Sequence, residues 1–435
     1  MFRALGHRNY RLFFTGQLIS VVGTWMQNIA QLWLVYRLTG SALLLGLVGF
    51  AGQIPVFIFA PVGGLFADRH SRHRIVIATQ TASMLLALIL AALTLMRQVR
   101  VWEVLVLAAL LGLVNAFDIP ARQSFIIEMV NSEDLINAIA LNSAMFNGAR
   151  ILGPAVAGVM VAAIGEGWCF FSNGVSYIAV IAGLLLMHVA PREYAHRAIS
   201  GLESVIEGFR FVLRTGPICA LLLLLGVVSV TGMPYAVLMP IFADRILHGG
   251  PRGLGVLMGA TGVGALAATL TLAARRDVRG LGRWVLYASS GFGASLILFS
   301  FSRSFPLSVL LLLPAGYCML LQMSSSNTLI QTMVPDELRG RVMAVYSMMF
   351  MGMAPFGALL AGAMAHRFGA PVTVALGGAV CIVGSLVFGS KWRALRGEAR
   401  QLIVAQGMRS GEPAEEMTGQ MDALSNRKAG TPEPS

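Results

Sequence analysis

Two charges stand inside stretches that are otherwise apolar, and they are the first candidates for chemistry. Asp118 lies in the run 103–121 and Arg150 in the run 138–163. An arginine at mid-bilayer costs about 2.5–3.5 kcal/mol on insertion scales, so it should pair or face water. Counted at about 1.5 Å per residue, Asp118 sits about 15 Å from the end of helix 4 near Glu128, and Arg150 about 18 Å from the end of helix 5 on the same side. The two are expected to meet. A carboxylate beside a cation stays ionised, and separation from that cation raises its pKa and lets it take a proton. Asp118 and Arg150 are therefore the proton-coupling candidates, the alternative being a static pair that only holds helices 4 and 5 together.

A second cluster lies between the runs 43–67 and 75–96. Asp68, Arg69, Arg72 and Arg74 fall within seven residues, together with His70 and His73. Gly63 and Gly64 precede them and allow two helix backbones to approach closely. Glu128, after the run 103–121, is the matching acid for Arg72. Asp68, Arg72 and Glu128 are expected to form a charge cluster at the cytoplasmic face when that face is closed.

The first run carries a stripe of polar residues, Gln17, Ser20, Thr24, Gln27, Asn28 and Gln31, at steps of three and four. Lipid cannot satisfy amides, so this stripe must face protein or water. Gln27, Asn28 and Gln31, with Asn115 in the fourth run, are candidates for the wall of a central cavity; the alternative for the stripe is hydrogen bonding between helices. In the fifth run Gly148, Gly153, Pro154, Ala157 and Gly158 form a small-residue seam for close helix packing.

Other chemistries lack their residues. The four cysteines, Cys169, Cys219, Cys318 and Cys381, all fall inside apolar runs, with no metal or disulfide spacing. There is no phosphate-binding glycine loop and no nucleophile–base set. No enzyme activity, metal or cofactor is expected.

These candidates need elements to hold them. The chain is 56% hydrophobic and 12% charged, against roughly 25% charged in an ordinary soluble protein. Its mean hydropathy is +0.74. Twelve apolar runs are long enough to span a bilayer as helices, at about 12–36, 43–67, 75–96, 103–121, 138–163, 168–190, 217–242, 253–274, 284–301, 307–330, 342–365 and 371–390. The start of the chain lacks the short apolar core and small-residue site of a cleavable signal. The expectation is an all-α membrane protein.

Charge sets the topology. Alternate loops hold 24 of the 32 Lys and Arg, the opposite loops hold 7, and Arg150 lies within a run. The positive-inside rule places both termini in the cytoplasm, in an inner membrane. The net charge of +12 thus reflects topology and anionic headgroups, and no nucleic-acid partner is expected.

The segment 191–216 carries Leu202, Val205, Ile206, Phe209, Val212 and Leu213 on one stripe, as an amphipathic helix at the interface does. It separates two six-helix halves, 1–190 and 217–390. Those halves look like repeats. Met129-Val130-Asn131-Ser132-Glu133-Asp134-Leu135 returns about 203 residues later as Met333-Val334-Pro335-Asp336-Glu337-Leu338, as in a membrane protein built from two repeated halves. Residues 391–435 turn polar and rich in Gly, Ser and Pro, the composition of a disordered cytoplasmic tail.

The loop Gly64, Asp68, Arg69, Arg72, Arg74 resembles the G-x-x-x-D-R-x-G-R-x-R pattern between helices 2 and 3 of the major facilitator superfamily, with Ser71 in place of the second glycine. Gly153-Pro154 through Gly158 resembles the helix-5 signature G-P-x-x-G-G of its exporters, with Ala157 replacing one glycine. With the stretches 67–72, 207–212 and 334–341, the resemblance extends over residues 8–390 and points to the bacterial branch of enterobactin exporters and macrolide efflux pumps. It implies a pseudo-symmetric twelve-helix fold. It also implies contact of Asp68 with the stretch Gly340 to Met343, where a helix N-terminus favours an acid.

By that resemblance the function is secondary active export of a small organic molecule, siderophore or drug-like. Transport would proceed by alternating access and proton coupling, in a monomer. An importer or a lysolipid transporter on the same fold, and a non-transporting sensor, are the alternatives.

Overall fold

The computed structural model describes residues 3–188, 201–275 and 280–409, and among them every regular element is helical. Twelve helices are long and apolar enough to cross a membrane. They are α1 (Arg8–Thr39), α2 (Ala42–Arg69), α3 (Arg72–Leu95), α4 (Val101–Met129), α5 (Leu135–Ile164), α6 (Glu166–Leu185), α8 (Gly216–Ile246), α9 (Gly250–Ala273), α10 (Leu281–Phe301), α11 (Phe305–Met333), α12 (Asp336–Phe368) and α13 (Ala370–Arg409). Between the sixth and seventh lies α7 (Gly201–Arg214). The chain belongs to the all-α membrane class.

Local chemistry sets the turns. Gly40 takes a left-handed φ of 60° and ends α1, as glycine does without a Cβ penalty. Ser41 then caps α2, accepting from the Leu44 amide at 3.4 Å. Ser71 caps α3 in the same way through the Arg74 amide, at 3.5 Å. A serine therefore does at this turn what an N-cap requires, where the family pattern has glycine.

Helices α1–α6 pack mainly on one another: α2 on α4, α1 on α5 and α6, and α3 on α6. Helices α8–α13 repeat the scheme, with α9 and α10 on α11, and α13 on α10 and α8. The two groups meet along α5–α9 and α2–α12. Small residues make these seams possible. A Cβ added to Gly158 would lie 2.9 Å from Gly255 Cα, and one added to Gly46 the same distance from Gly362 Cα.

The seam is closed over one half of its length. We term the end with the α2–α3 loop the basic end, and the other the far end. Contacts run from Gly46–Gly362 and Gly158–Gly255 near the far end to the Phe57 ring against Gly352 and Ile151 against Gly262, near the middle of their helices. Beyond the middle, Cβ atoms added to Gly64, Gly148 and Gly340 would meet nothing within 4 Å. The halves part toward the basic end.

Two helices of the second group carry π turns, α8 at Val228–Gly232 and Phe242–Ile246, and α12 at Met348–Gly352. A π turn misaligns backbone carbonyls, and such turns occur mostly at functional places. Here the Ser229 hydroxyl donates to the Phe350 carbonyl at 2.6 Å, so the interruptions in α8 and α12 are pinned to each other.

The linker and the last helix differ in extent from expectation. Residues 191–200 of the expected linker lie outside the described residues. α7 docks on the start of α12 through the Glu207–Arg341 ion pair, and Gly208 packs against the Arg341 backbone. α13 does not stop at 390 but continues through Arg409. Leu395 and Glu398 pack on Gly216, and Trp392 on Gly282, so apolar contacts extend the helix beyond the span. Residues 410–435 lie outside the described residues.

Candidate functional site

Asp118 is 3% exposed and holds three partners. Consecutive residues of α3 supply two: the Thr79 hydroxyl at 2.7 Å and the Gln80 amide at 2.9 Å both donate to Oδ1. The third is Arg122, whose Nε lies 3.2 Å from Oδ2. Arg122 also donates to Gln17 Oε1 of α1 at 3.4 Å and lies over the Phe146 ring of α5, 5.2 Å from its centroid. Four helices thus converge on one embedded ion pair. Every other carboxylate of the described spans lies within three residues of a span end, except Glu398 in the extension of α13.

The expected Asp118–Arg150 pair does not form. Arg122 stands one turn along the same helix, so its guanidinium reaches Asp118 first. In addition, α5 packs on α1 and α9 rather than along α4. Arg150 instead lies over the Trp25 ring of α1, 5.9 Å from its centroid, within electrostatic range of Tyr235 on α8. It makes no ion pair among the described residues. Arg122 is the residue that sequence reasoning missed. Its signal was the i,i+4 spacing from Asp118, hidden because the apolar run stops at 121 while the helix continues to Met129.

At the basic end, Arg72 gathers the other cluster. Its Nη1 lies 2.8 Å from Glu128 Oε1 and its Nη2 3.3 Å from Asp68 Oδ1. The same guanidinium donates to the Ala67 and Ser124 carbonyls at 3.4 and 3.5 Å. The Asp68 side chain is 68% exposed, and Arg69 and Arg74 are exposed beside it. Gly63, rather than Gly64, makes the close helix contact, against Ala116 and Phe117 of α4.

The small-residue seam of α5 divides between two neighbours. Gly153 lies against Trp25 and Met26 of α1, while Pro154 and Gly158 face Gly255 of α9. Gly148 faces open space. The amide candidates also divide. Gln27 is buried and accepts from Asn173 Nδ2 of α6 at 2.7 Å, so it joins two helices and does not line a cavity. An amide this long folds back into the seam when another amide is there to satisfy it. Asn28 is exposed, and Gln31 and Asn115 are half-buried.

At the far end the two groups are latched by residues the sequence did not announce. The Tyr36 hydroxyl of α1 donates to Asp244 Oδ2 of α8 at 2.8 Å. Arg245 lies over the Tyr36 ring at 5.7 Å and donates to the Gly40 carbonyl at 3.4 Å. Within the first group, Arg37 of α1 pairs with Glu166 of α6 at 2.7 Å.

The second group contains a neutral counterpart of the acid site. α4 and α11 are each 29 residues long and start 204 positions apart. At that spacing Asp118 corresponds to Gln322 and Arg122 to Ser326. Both counterparts are buried, as is Ser325 between them.

Twelve spanning helices in two repeated groups, joined by a small-residue seam, define a polytopic transporter rather than an enzyme. The chain belongs to the major facilitator superfamily: a family model described as transmembrane secretion effector matches residues 1–420. Among its relatives, the staphyloferrin A transporter of Staphylococcus aureus is 25% identical, over 87% of this chain and 95% of that one. The multidrug efflux pump Tap of Mycolicibacterium fortuitum is 28% identical over 82% and 89%. The enterobactin exporter EntS of Citrobacter koseri is 23% identical over 94% and 96%. The solved structure of a nucleoside transporter NupG variant shares the fold, with a TM-score of 0.71 and 12% identity, covering 90% of this chain and all of that one.

Proposed function

We propose that this transporter exports a small organic molecule, a siderophore or an amphipathic drug, from the cytoplasm by proton-coupled alternating access. The observation that carries the reading is the Asp118–Arg122 pair, a mid-span carboxylate held by a cation on the same helix. In the state described, Arg122 Nε lies 3.2 Å from Asp118 Oδ2. A shift of α1 and α5 against α4 within the first half, accompanying the rocking of the halves, draws Gln17 and Phe146 away from Arg122 and loosens the pair. Asp118 then takes a proton from the far side and releases it on return. Substrate enters between the parted halves, where Asn28, Gln31 and Asn115 offer hydrogen bonds and Trp25 and Phe146 offer apolar surface.

The reading places the basic end in the cytoplasm, because that side holds most of the Lys and Arg, and the chain in the inner membrane as a monomer. The parted basic end then corresponds to a cytoplasm-facing state. The names of the relatives support siderophores and drugs as the substrate class. In everted vesicles, a panel of siderophores and cationic dyes should accumulate only with an imposed proton gradient, and not in Asp118→Asn. Accumulation by Asp118→Asn with unchanged proton dependence would remove Asp118 from the coupling role.

A further inference from the structure

One embedded charge is left over once the others are paired. Asp118 is held by Arg122. Every other carboxylate of the described spans lies near a span end, apart from Glu398 in the extension of α13. Arg150 falls at the middle of α5, Leu135–Ile164. Among the described residues no unpaired acid stands at its depth to neutralise it. An arginine there is expensive unless it pairs or faces water.

The surroundings of Arg150 are aromatic and lie between the halves. Its side chain is half-buried, and the guanidinium lies over the Trp25 ring of α1, 5.9 Å from the centroid. Tyr235 of α8 lies within electrostatic range and packs edge-on against Phe292 of α10, with centroids 6.0 Å apart. Trp25 belongs to the first group and Tyr235 to the second. The seam contact of Ile151 with Gly262 adjoins Arg150, and Gly148, two residues toward the basic end, faces open space. Side chains on a helix lean toward its N-terminus, which for α5 is the basic end. Arg150 therefore leans into the head of the space between the parted halves.

We propose that Arg150 is the recognition site for a carboxylate of the transported molecule, so that acidic substrates are preferred over uncharged or cationic ones of the same shape. The inference rests on the reading that this space carries a small organic molecule. A carboxylate entering from the basic end supplies the counter-charge that the chain lacks. The planar guanidinium can donate two parallel hydrogen bonds to it, and Trp25 offers a flat apolar face to the rest of the molecule.

Two dyes that differ by one methyl group test this on the purified full chain in detergent. Rhodamine B carries a free carboxylate, and rhodamine B methyl ester has it blocked. Equilibrium binding to the wild type should favour the acid over the ester by about ten-fold, the size of a charge-assisted hydrogen bond. Arg150→Gln should erase the preference. Arg150→Lys keeps the charge without the fork and should keep part of it. Arg252→Gln removes an exposed charge at the far end and should keep all of it. Equal affinities in the wild type, no binding of the acid, or a preference that survives Arg150→Gln would overturn the site. If the preference holds but neither dye accumulates in everted vesicles, the export reading fails and the site stands. A melting temperature for each variant separates loss of the site from loss of the fold.

Discussion

The Tyr36 hydroxyl donates to Asp244 at 2.8 Å across the far end of the seam, joining helices whose residues are 208 positions apart in the chain. The bond links the ends of α1 and α8, and Arg245 covers the same ring from above. A hydrogen bond to a charged group is worth about 1.5–3 kcal/mol, roughly ten- to a hundred-fold in a two-state balance. Tyr36→Phe should therefore shift the population toward far-end opening. An impermeant thiol reagent applied from the far side should label a cysteine placed at Trp33 faster in this variant. Unchanged labelling would show that the latch carries no energy.

Asp118 and Arg122 should behave as a unit, and Asp118 and Arg150 should not. In a double-mutant cycle, contacting residues couple by about 0.5–3 kcal/mol, while separated ones add within about 0.5 kcal/mol. Thermal unfolding of Asp118→Asn and Arg122→Gln, singly and together, should show coupling. The cycle with Arg150→Ala should be additive. Coupling of Asp118 to Arg150 would mean that the two meet in another state.

Glycine substitutions should report which end is closed. Gly158→Val places carbon against Gly255, 2.9 Å from its Cα for the Cβ alone, and overpacking typically costs about 1–3 kcal/mol. Its melting temperature should fall. Gly64→Ala meets open space in this state and should leave stability unchanged. If closure at the basic end brings that helix face against α12, Gly64→Ala slows transport while the melting temperature holds.

Gln27→Leu should act on stability rather than on recognition. It leaves the buried Asn173 amide without its acceptor, and an unsatisfied buried group costs about 1–3 kcal/mol. Substrate affinity should stay within roughly two-fold of wild type. A selective loss of affinity would put Gln27 back on the cavity wall.

Much of the fold could be read in advance because membrane spans obey a simple rule of length and polarity. The positions of the twelve helices, the doubled architecture and the charged α2–α3 hairpin all follow from runs and loops. The partner of Asp118 did not, because an apolar run ends where hydropathy falls, not where hydrogen bonding ends, and α4 continues for two more turns past Ala121. The phase of α1 was also hidden. Gln27 and Asn28 are neighbours in a polar stripe, yet one is buried against α6 and the other exposed. A rotation of 100° per residue separates them, and only the packing partner decides which is which. The far-end latch could not be read at all, since Tyr36 and Asp244 each look like ordinary residues at the edge of a span.

The 204-residue spacing between α4 and α11 has a consequence best put in terms of symmetry. A duplicated molecule with identical copies has a twofold operation that exchanges its halves and leaves nothing changed. Here the operation carries a charged site onto Gln322 and Ser326, so shape is even under the exchange and charge is odd. Mechanical motion can treat α4 and α11 alike, because both are 29 residues long. An electric field or a change in acidity cannot, because it finds a handle on one copy alone. At these two positions the copies differ in chemistry while the helices that carry them keep one length.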